Sequence, residues 1–213
     1  MTVGWLAAYA SLGAAAAAPL SVVTRRLLTD RPPSVLTSWW LATFGTAALL
    51  VAVGWGVGPR EELLPYGLVV VVAIPLSVID WIEQRLPSIL VGPLLAGTML
   101  AFGGICLVRD EFGPGLRALA AMVAAAGLFL LLALAVPGGV GAGDVRLAAV
   151  VGAAAGWTGW STVVGALLVA LAVAIVLLAA GTGRRPNRDA SAGLPFGPCL
   201  LAGLITMVVA VGG

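Results

Sequence analysis

The chain has 213 residues, of which 61% are hydrophobic and 9% charged, with a formal net charge of +2 and a mean hydropathy of +1.12. A soluble domain carries about 25% charged residues, so the composition excludes a water-soluble globule and predicts an all-α fold, a polytopic transmembrane helix bundle. The basic residues are all Arg, and the absence of His excludes a Ser-His hydrolytic pair and an HExxH zinc site. No basic tract suggests nucleic acid as a partner.

From Val3 onward the N-terminus is apolar, with no basic segment ahead of it, and reads as a retained span rather than a removed signal. Uncharged runs cover 1–24, 32–59, 63–79, 86–108, 118–143, 147–183 and 190–213. One crossing needs about 20 apolar residues, so the run 147–183 is too long for a single helix. It holds Gly156-Trp157-Thr158-Gly159-Trp160-Ser161, where Trp beside Gly predicts a tight turn at the membrane surface. Splitting the run there predicts eight spans, the sixth a short one over roughly 145–157. Pro75, inside the third span, predicts a kink. Trp39, Trp40, Trp55, Trp81, Trp157 and Trp160 read as interfacial anchors. Cys106 and Cys199 lie in separate apolar runs without CxxC spacing and read as packing residues. Residues 182–191 form a loop whose arginines either touch anionic lipid headgroups or only set topology.

Counting loops alternately places Arg25, Arg26, Arg31, Arg85, Arg146, Arg184, Arg185 and Arg188 on one side. Arg60, Arg109 and Arg117 fall on the other. The excess assigns the first group to the cytoplasm and both chain ends to the outside. On this assignment Asp80 closes the third span and Asp144 opens the sixth, both at the cytoplasmic boundary. Asp30, Glu83 and Asp189, on the same side, read as solvated loop charges.

Asp144 stands in Gly138-Gly139-Val140-Gly141-Ala142-Gly143-Asp144-Val145-Arg146-Leu147, behind a run of glycines. A carboxylate there is costly because hydrocarbon cannot hydrate a charge. Taken alone, the stretch also fits a plain turn that holds one Asp. Asp80 at the same depth adds a second reading. Two carboxylates in close approach cannot both ionise, so the pair retains a proton. The ionised member can take a proton from water while the protonated one hydrogen-bonds a scissile carbonyl, as in aspartic proteases. This chemistry requires no His, Ser, Cys or metal. Arg146 is a candidate for biasing which carboxylate is charged. The alternative is a proton- or ion-coupled membrane transporter that uses the two acidic residues as a relay, although the internal symmetry common in such proteins is not evident.

Three segments carry a resemblance. Asp80-Trp81-Ile82-Glu83-Gln84-Arg85-Leu86-Pro87 resembles the D-x5-[IL]-P segment of type IV prepilin peptidases. Gly141-Ala142-Gly143-Asp144-Val145-Arg146-Leu147 is similar to their GxGDxKL motif, and Leu194-Pro195-Phe196-Gly197-Pro198 to the [IL]PFGP segment that opens their last helix. The presenilin and signal-peptide-peptidase group shares GxGD but ends its site with Pro-Ala-Leu, which has no counterpart here. The resemblance implies an aspartic endopeptidase with Asp80 and Asp144 as catalytic residues. Gly141, Gly143, Arg146, Leu86, Pro87, Pro195, Phe196, Gly197 and Pro198 would support the loop and the substrate. It further implies a six-helix catalytic core over 63–213, preceded by two spans in 1–62.

The implied partner is the N-terminal leader of a prepilin or pseudopilin-like precursor, cut at the cytoplasmic face of a bacterial or archaeal inner membrane, among membrane lipids. Two departures stand out. Arg146 replaces the usual Lys, keeping the charge but changing its geometry. Long members of the family also carry two CxxC pairs after the first helix, associated with metal binding and methylation. The matching place, Thr24 to Pro33, has no Cys. The expectation is cleavage with no metal or cofactor, and no methylation dependent on S-adenosylmethionine.

Overall fold

A computed structural model describes residues 3–28, 38–136, 140–180 and 195–212. Among them the chain forms eight helices and no strand: α1 (Val3–Leu27), α2 (Trp39–Val57), α3 (Leu63–Glu83), α4 (Ser88–Arg109), α5 (Gly113–Ala135), α6 (Ala142–Thr158), α7 (Trp160–Ala179) and α8 (Phe196–Gly212). Six of them are long and apolar enough to cross a membrane, the exceptions being α6 and α8 with 17 residues each. Leu100, Leu107, Leu131, Leu134, Leu168 and Val176 point outward and exposed, as a lipid-facing surface requires. The chain is a multi-pass membrane protein built as a helical bundle.

The centre of the bundle is α6. Every residue from Leu147 to Trp157 is buried, and the helix packs on α4, α5, α7 and α8. At 1.5 Å per residue it is about 26 Å long, slightly short of a hydrocarbon core of about 30 Å. Small side chains let its neighbours close in, because helices in lipid associate through close packing. A Cβ on Gly152 would stand 2.5 Å from the Ala121 carbonyl oxygen and 2.7 Å from the Ala125 Cβ. Hence α5 faces α6 with Ala118, Ala121, Ala125 and Phe129, a stripe at helical spacing. By contrast, α3 and α6 scarcely touch, since α4 and α8 each pack on both.

The two ends of the bundle differ in their chemistry. The first collects the C-termini of α1 and α3 and the N-termini of α4, α6 and α8, and it holds both aspartates. Arg85 there donates to the Leu27 carbonyl at 3.4 Å. At the opposite end Arg109 bonds Glu62 at 2.6 Å and also pairs with Glu61. Arg117 donates from Nε to the Gly156 carbonyl at 2.8 Å and from Nη2 to the Trp157 carbonyl at 2.5 Å. These are carbonyls that the end of α6 leaves without an intrahelical donor. The Trp157 ring stacks on Phe102 at 4.4 Å, and Tyr66 meets Phe102 edge-on at 5.9 Å.

Several expectations need correction. Trp157 is 6% exposed and belongs to the core rather than an interface, because the partners of α6 surround it on all sides. Trp40, Trp55 and Trp160 are exposed. Glu83 is not a solvated loop charge: its side chain is 8% exposed and pairs with Arg85. Asp80 does not end α3, which runs on to Glu83 before Gln84 closes it with φ 52°. Nor does α6 begin at 145; it starts at Ala142 and takes Asp144 into its first turn. Arg117 lies within α5, whose start at Gly113 uses Pro114 in the first turn. The split of run 147–183 holds, with Gly159 alone between α6 and α7. Both cysteines are buried and free. Asp30, Arg31, Gly138, Gly139, Asp189, Leu194 and the arginines of 182–191 lie outside the described residues.

Candidate active site

Asp80 reaches its place because α3 is apolar on nearly every side, so the carboxylate is carried into the bundle one turn before the helix ends. It is 4% exposed. A buried carboxylate needs a donor, and the backbone supplies one: the Gly197 N–H donates to Asp80 Oδ2 at 2.8 Å. Gly197 lies in the first turn of α8, where amides have no intrahelical acceptor. A Cβ at this position would stand 2.9 Å from Oδ2 and 3.3 Å from Cγ. Pro195 and Gly197 are buried, Phe196 and Pro198 half-buried, so the Pro-Phe-Gly-Pro segment is the turn that sets α8 against the acid.

Asp144 sits at the third position of α6 and reaches back to the helix start. Its Oδ2 accepts from the Gly141 N–H at 2.9 Å, while its own N–H donates to the Gly141 carbonyl at 3.0 Å. This is the acid half of a capping box, which satisfies an otherwise orphaned amide. Gly143, next to it, lies against the α3–α4 connection. A Cβ there would be 2.6 Å from the Leu86 Cβ and 3.0 Å from the Leu86 carbonyl oxygen. Leu86 is buried and Pro87 is the N-cap of α4. Arg146 is exposed and donates to the Ser88 hydroxyl, tying α6 to the start of α4; neither aspartate is its partner.

The three sequence segments therefore meet at one end of the bundle. Gly197 joins the last segment to Asp80, and Gly143 joins the Asp144 segment to Leu86. The two carboxylates are near enough for the charge of Asp144 to act on Asp80. Each is held through Oδ2 alone, leaving Oδ1 without a hydrogen bond among the described residues. Such a pair is equipped to exchange protons with a water and a polar group placed between them.

A sequence profile of the type IV leader peptidase family matches residues 67–182, just over half of the chain. The chain belongs to the type IV leader peptidase family. Neither a curated protein nor a solved structure matches the peptidase. The matched segment contains Asp80, Asp144, Leu86 and Gly143 but stops before α8. The contact of Gly197 with Asp80 is thus a feature of the peptidase's fold that lies partly beyond the family match.

Sequence reasoning missed the polar contacts at the opposite end of the peptidase. Glu61 and Glu62 follow Arg60 directly, and pairing them with Arg109 required only that all be placed on one side. Tyr66 also gave a signal: a hydroxyl within an apolar span must find a partner. It donates to the Ala154 carbonyl of α6 at 3.1 Å.

Proposed function

We propose that this peptidase is an intramembrane aspartic endopeptidase, with Asp80 and Asp144 as its catalytic pair. Its substrate is the N-terminal leader of a prepilin or pseudopilin-like precursor, cut at the cytoplasmic boundary of the cell membrane. The observation that carries the reading is the convergence of three separated segments on two carboxylates at one end of the bundle. Family membership supports a leader peptide as substrate, and the excess of arginines on the aspartate side supports the cytoplasmic orientation.

In this mechanism the pair holds one proton. The ionised carboxylate takes a proton from water, and the oxygen so activated attacks the scissile carbonyl carbon. The protonated carboxyl gives its proton to the carbonyl oxygen, so the tetrahedral intermediate is neutral. On collapse the carboxyl that took the proton from water gives it to the departing amine as the C–N bond breaks. A hydroxyl of the intermediate gives its proton to the other carboxylate as the new C=O forms, leaving the pair with one proton again. Gly141, exposed at the N-cap of α6, leaves room for an extended leader to lie along the backbone, whereas Gly143 is covered by Leu86. Methylation of the new amino terminus forms no part of this reading.

The test is co-expression with a tagged prepilin, scored by the size shift on cleavage and by the N-terminal sequence of the product. Asp80→Asn and Asp144→Asn, each shown to accumulate in the membrane, are expected to lose cleavage by at least about 1,000-fold. Full cleavage by either variant overturns the pair. A loss of ion flux with cleavage intact would favour the relay instead.

A further inference from the structure

The two helices that carry the aspartates are not packed on one another. They run antiparallel, with α4 and α8 wedged against both. A helix held only through its neighbours can slide along its axis, and a slide of α6 against α3 moves Asp144 relative to Asp80 by the same amount. Something must set that register. At the aspartate end Gly143 of α6 meets Leu86 just after α3, at the other end Trp157 of α6 bonds Glu62 at the N-cap of α3, and from within α3 itself Tyr66 spans the gap. Tyr66, in the first turn of α3 and 3% exposed, extends its hydroxyl to the Ala154 carbonyl near the far end of α6, at 3.1 Å. Its ring is held by the edge of Phe102, which in turn stacks on Trp157 of α6. The phenol cannot swing away without breaking that group.

We propose that Tyr66 is a positioning residue: by bonding α6 from α3 at the end away from the aspartates, it fixes the register of the two helices and so brings Asp80 and Asp144 level. The inference rests on the reading that these two carboxylates perform the cleavage. Tyr66 is 14 residues before Asp80 on the same helix, about 20 Å along the axis, and therefore acts without touching substrate. Arg117 holds the neighbouring carbonyls of α6, but from α5, which packs along α6 and moves with it. It does not supply the link to α3.

The test is Tyr66→Phe in the full-length protein, which keeps the ring and removes one hydroxyl. Misplacement of reacting groups by about 1 Å costs up to about 100-fold in rate, so the expected result is a fall in kcat of about tenfold or more with KM within about twofold. Tyr9→Phe is the control. That hydroxyl donates to the Leu63 carbonyl at 2.7 Å and ties α1, not α6, to α3; its loss is expected to leave kcat unchanged. A second measurement does not depend on activity. In a protein with Cys106→Ala and Cys199→Ala, the pair Asp80→Cys and Asp144→Cys is joined with a short bifunctional thiol reagent, with and without Tyr66→Phe. Slower cross-linking in the Tyr66→Phe background supports the register role even if the aspartates prove not to be catalytic. Unchanged cross-linking together with unchanged kcat overturns it.

Discussion

The amide of Gly197 and the carboxylate of Asp80 meet at 2.8 Å, joining positions 117 residues apart. No side chain fits between them, because a Cβ on Gly197 would lie 2.9 Å from Oδ2. Gly197→Ala is therefore expected to displace the carboxylate and lower cleavage about tenfold or more. Gly92→Ala on α4, where a Cβ meets nothing within 4 Å, is expected to cleave at the wild-type rate. The size-shift assay decides both.

Gly143→Ala is expected to be as harmful for a different reason. Its Cβ would press on the backbone of Leu86, whose carbonyl oxygen lies 3.0 Å away. Trimming the Leu86 side chain leaves that carbonyl and the Leu86 Cβ in place. The double variant Gly143→Ala with Leu86→Ala should therefore stay as inactive as the single one. Recovery of cleavage in the double variant would show that the Gly143 contact is side-chain packing only.

Gly152→Ala addresses stability rather than chemistry. Overpacking against the Ala121 backbone is expected to cost about 1–3 kcal/mol, read as a lower midpoint of thermal unfolding in detergent.

The ion pair at the opposite end predicts a dependence on acid. Burial works against the ionised form of Glu62, but the hydrogen bond and charge of Arg109, a backbone N–H and the Trp157 side chain together outweigh it and hold the carboxyl below its ordinary value of 4.5. A carboxyl lowered on folding contributes stability above its unfolded pKa and loses it as pH falls through the folded value. Arg109→Gln is expected to lower stability near neutral pH by about 1–2 kcal/mol, a modest figure because Arg109 is partly solvated. The difference from wild type should shrink below about pH 4.5. Unfolding midpoints across pH 3 to 7 measure it.

The helices were legible because charges and turn residues punctuate an apolar chain. Gly159 between two tryptophans marked the break between α6 and α7, and the three motif segments are ones that the fold brings to one end of the bundle. Boundaries drawn at charges were less accurate for a physical reason. A charged residue can lie inside a helix when the bundle supplies its partner, as the Gly156 and Trp157 carbonyls do for Arg117 and the Gly197 amide does for Asp80. Trp157 and Trp160 show the same limit, since local sequence gives both as interfacial and only the surrounding helices bury one of them. The bond from Tyr66 to Ala154 spans 88 residues, and no local pattern encodes its partner.

That protein encloses α6 from Leu147 to Trp157 has a consequence for how the molecule is made. Alanine and glycine provide a weak signal for partitioning from the translocon into lipid, and Asp144 and Arg146 weaken it further. Its entry into the bilayer depends on the strongly apolar α5 before it and α7 after it. The segment that carries one of the two acids is thus committed to the membrane by its neighbours, and the end that holds Asp80 and Asp144 is completed only once the whole hairpin has been delivered.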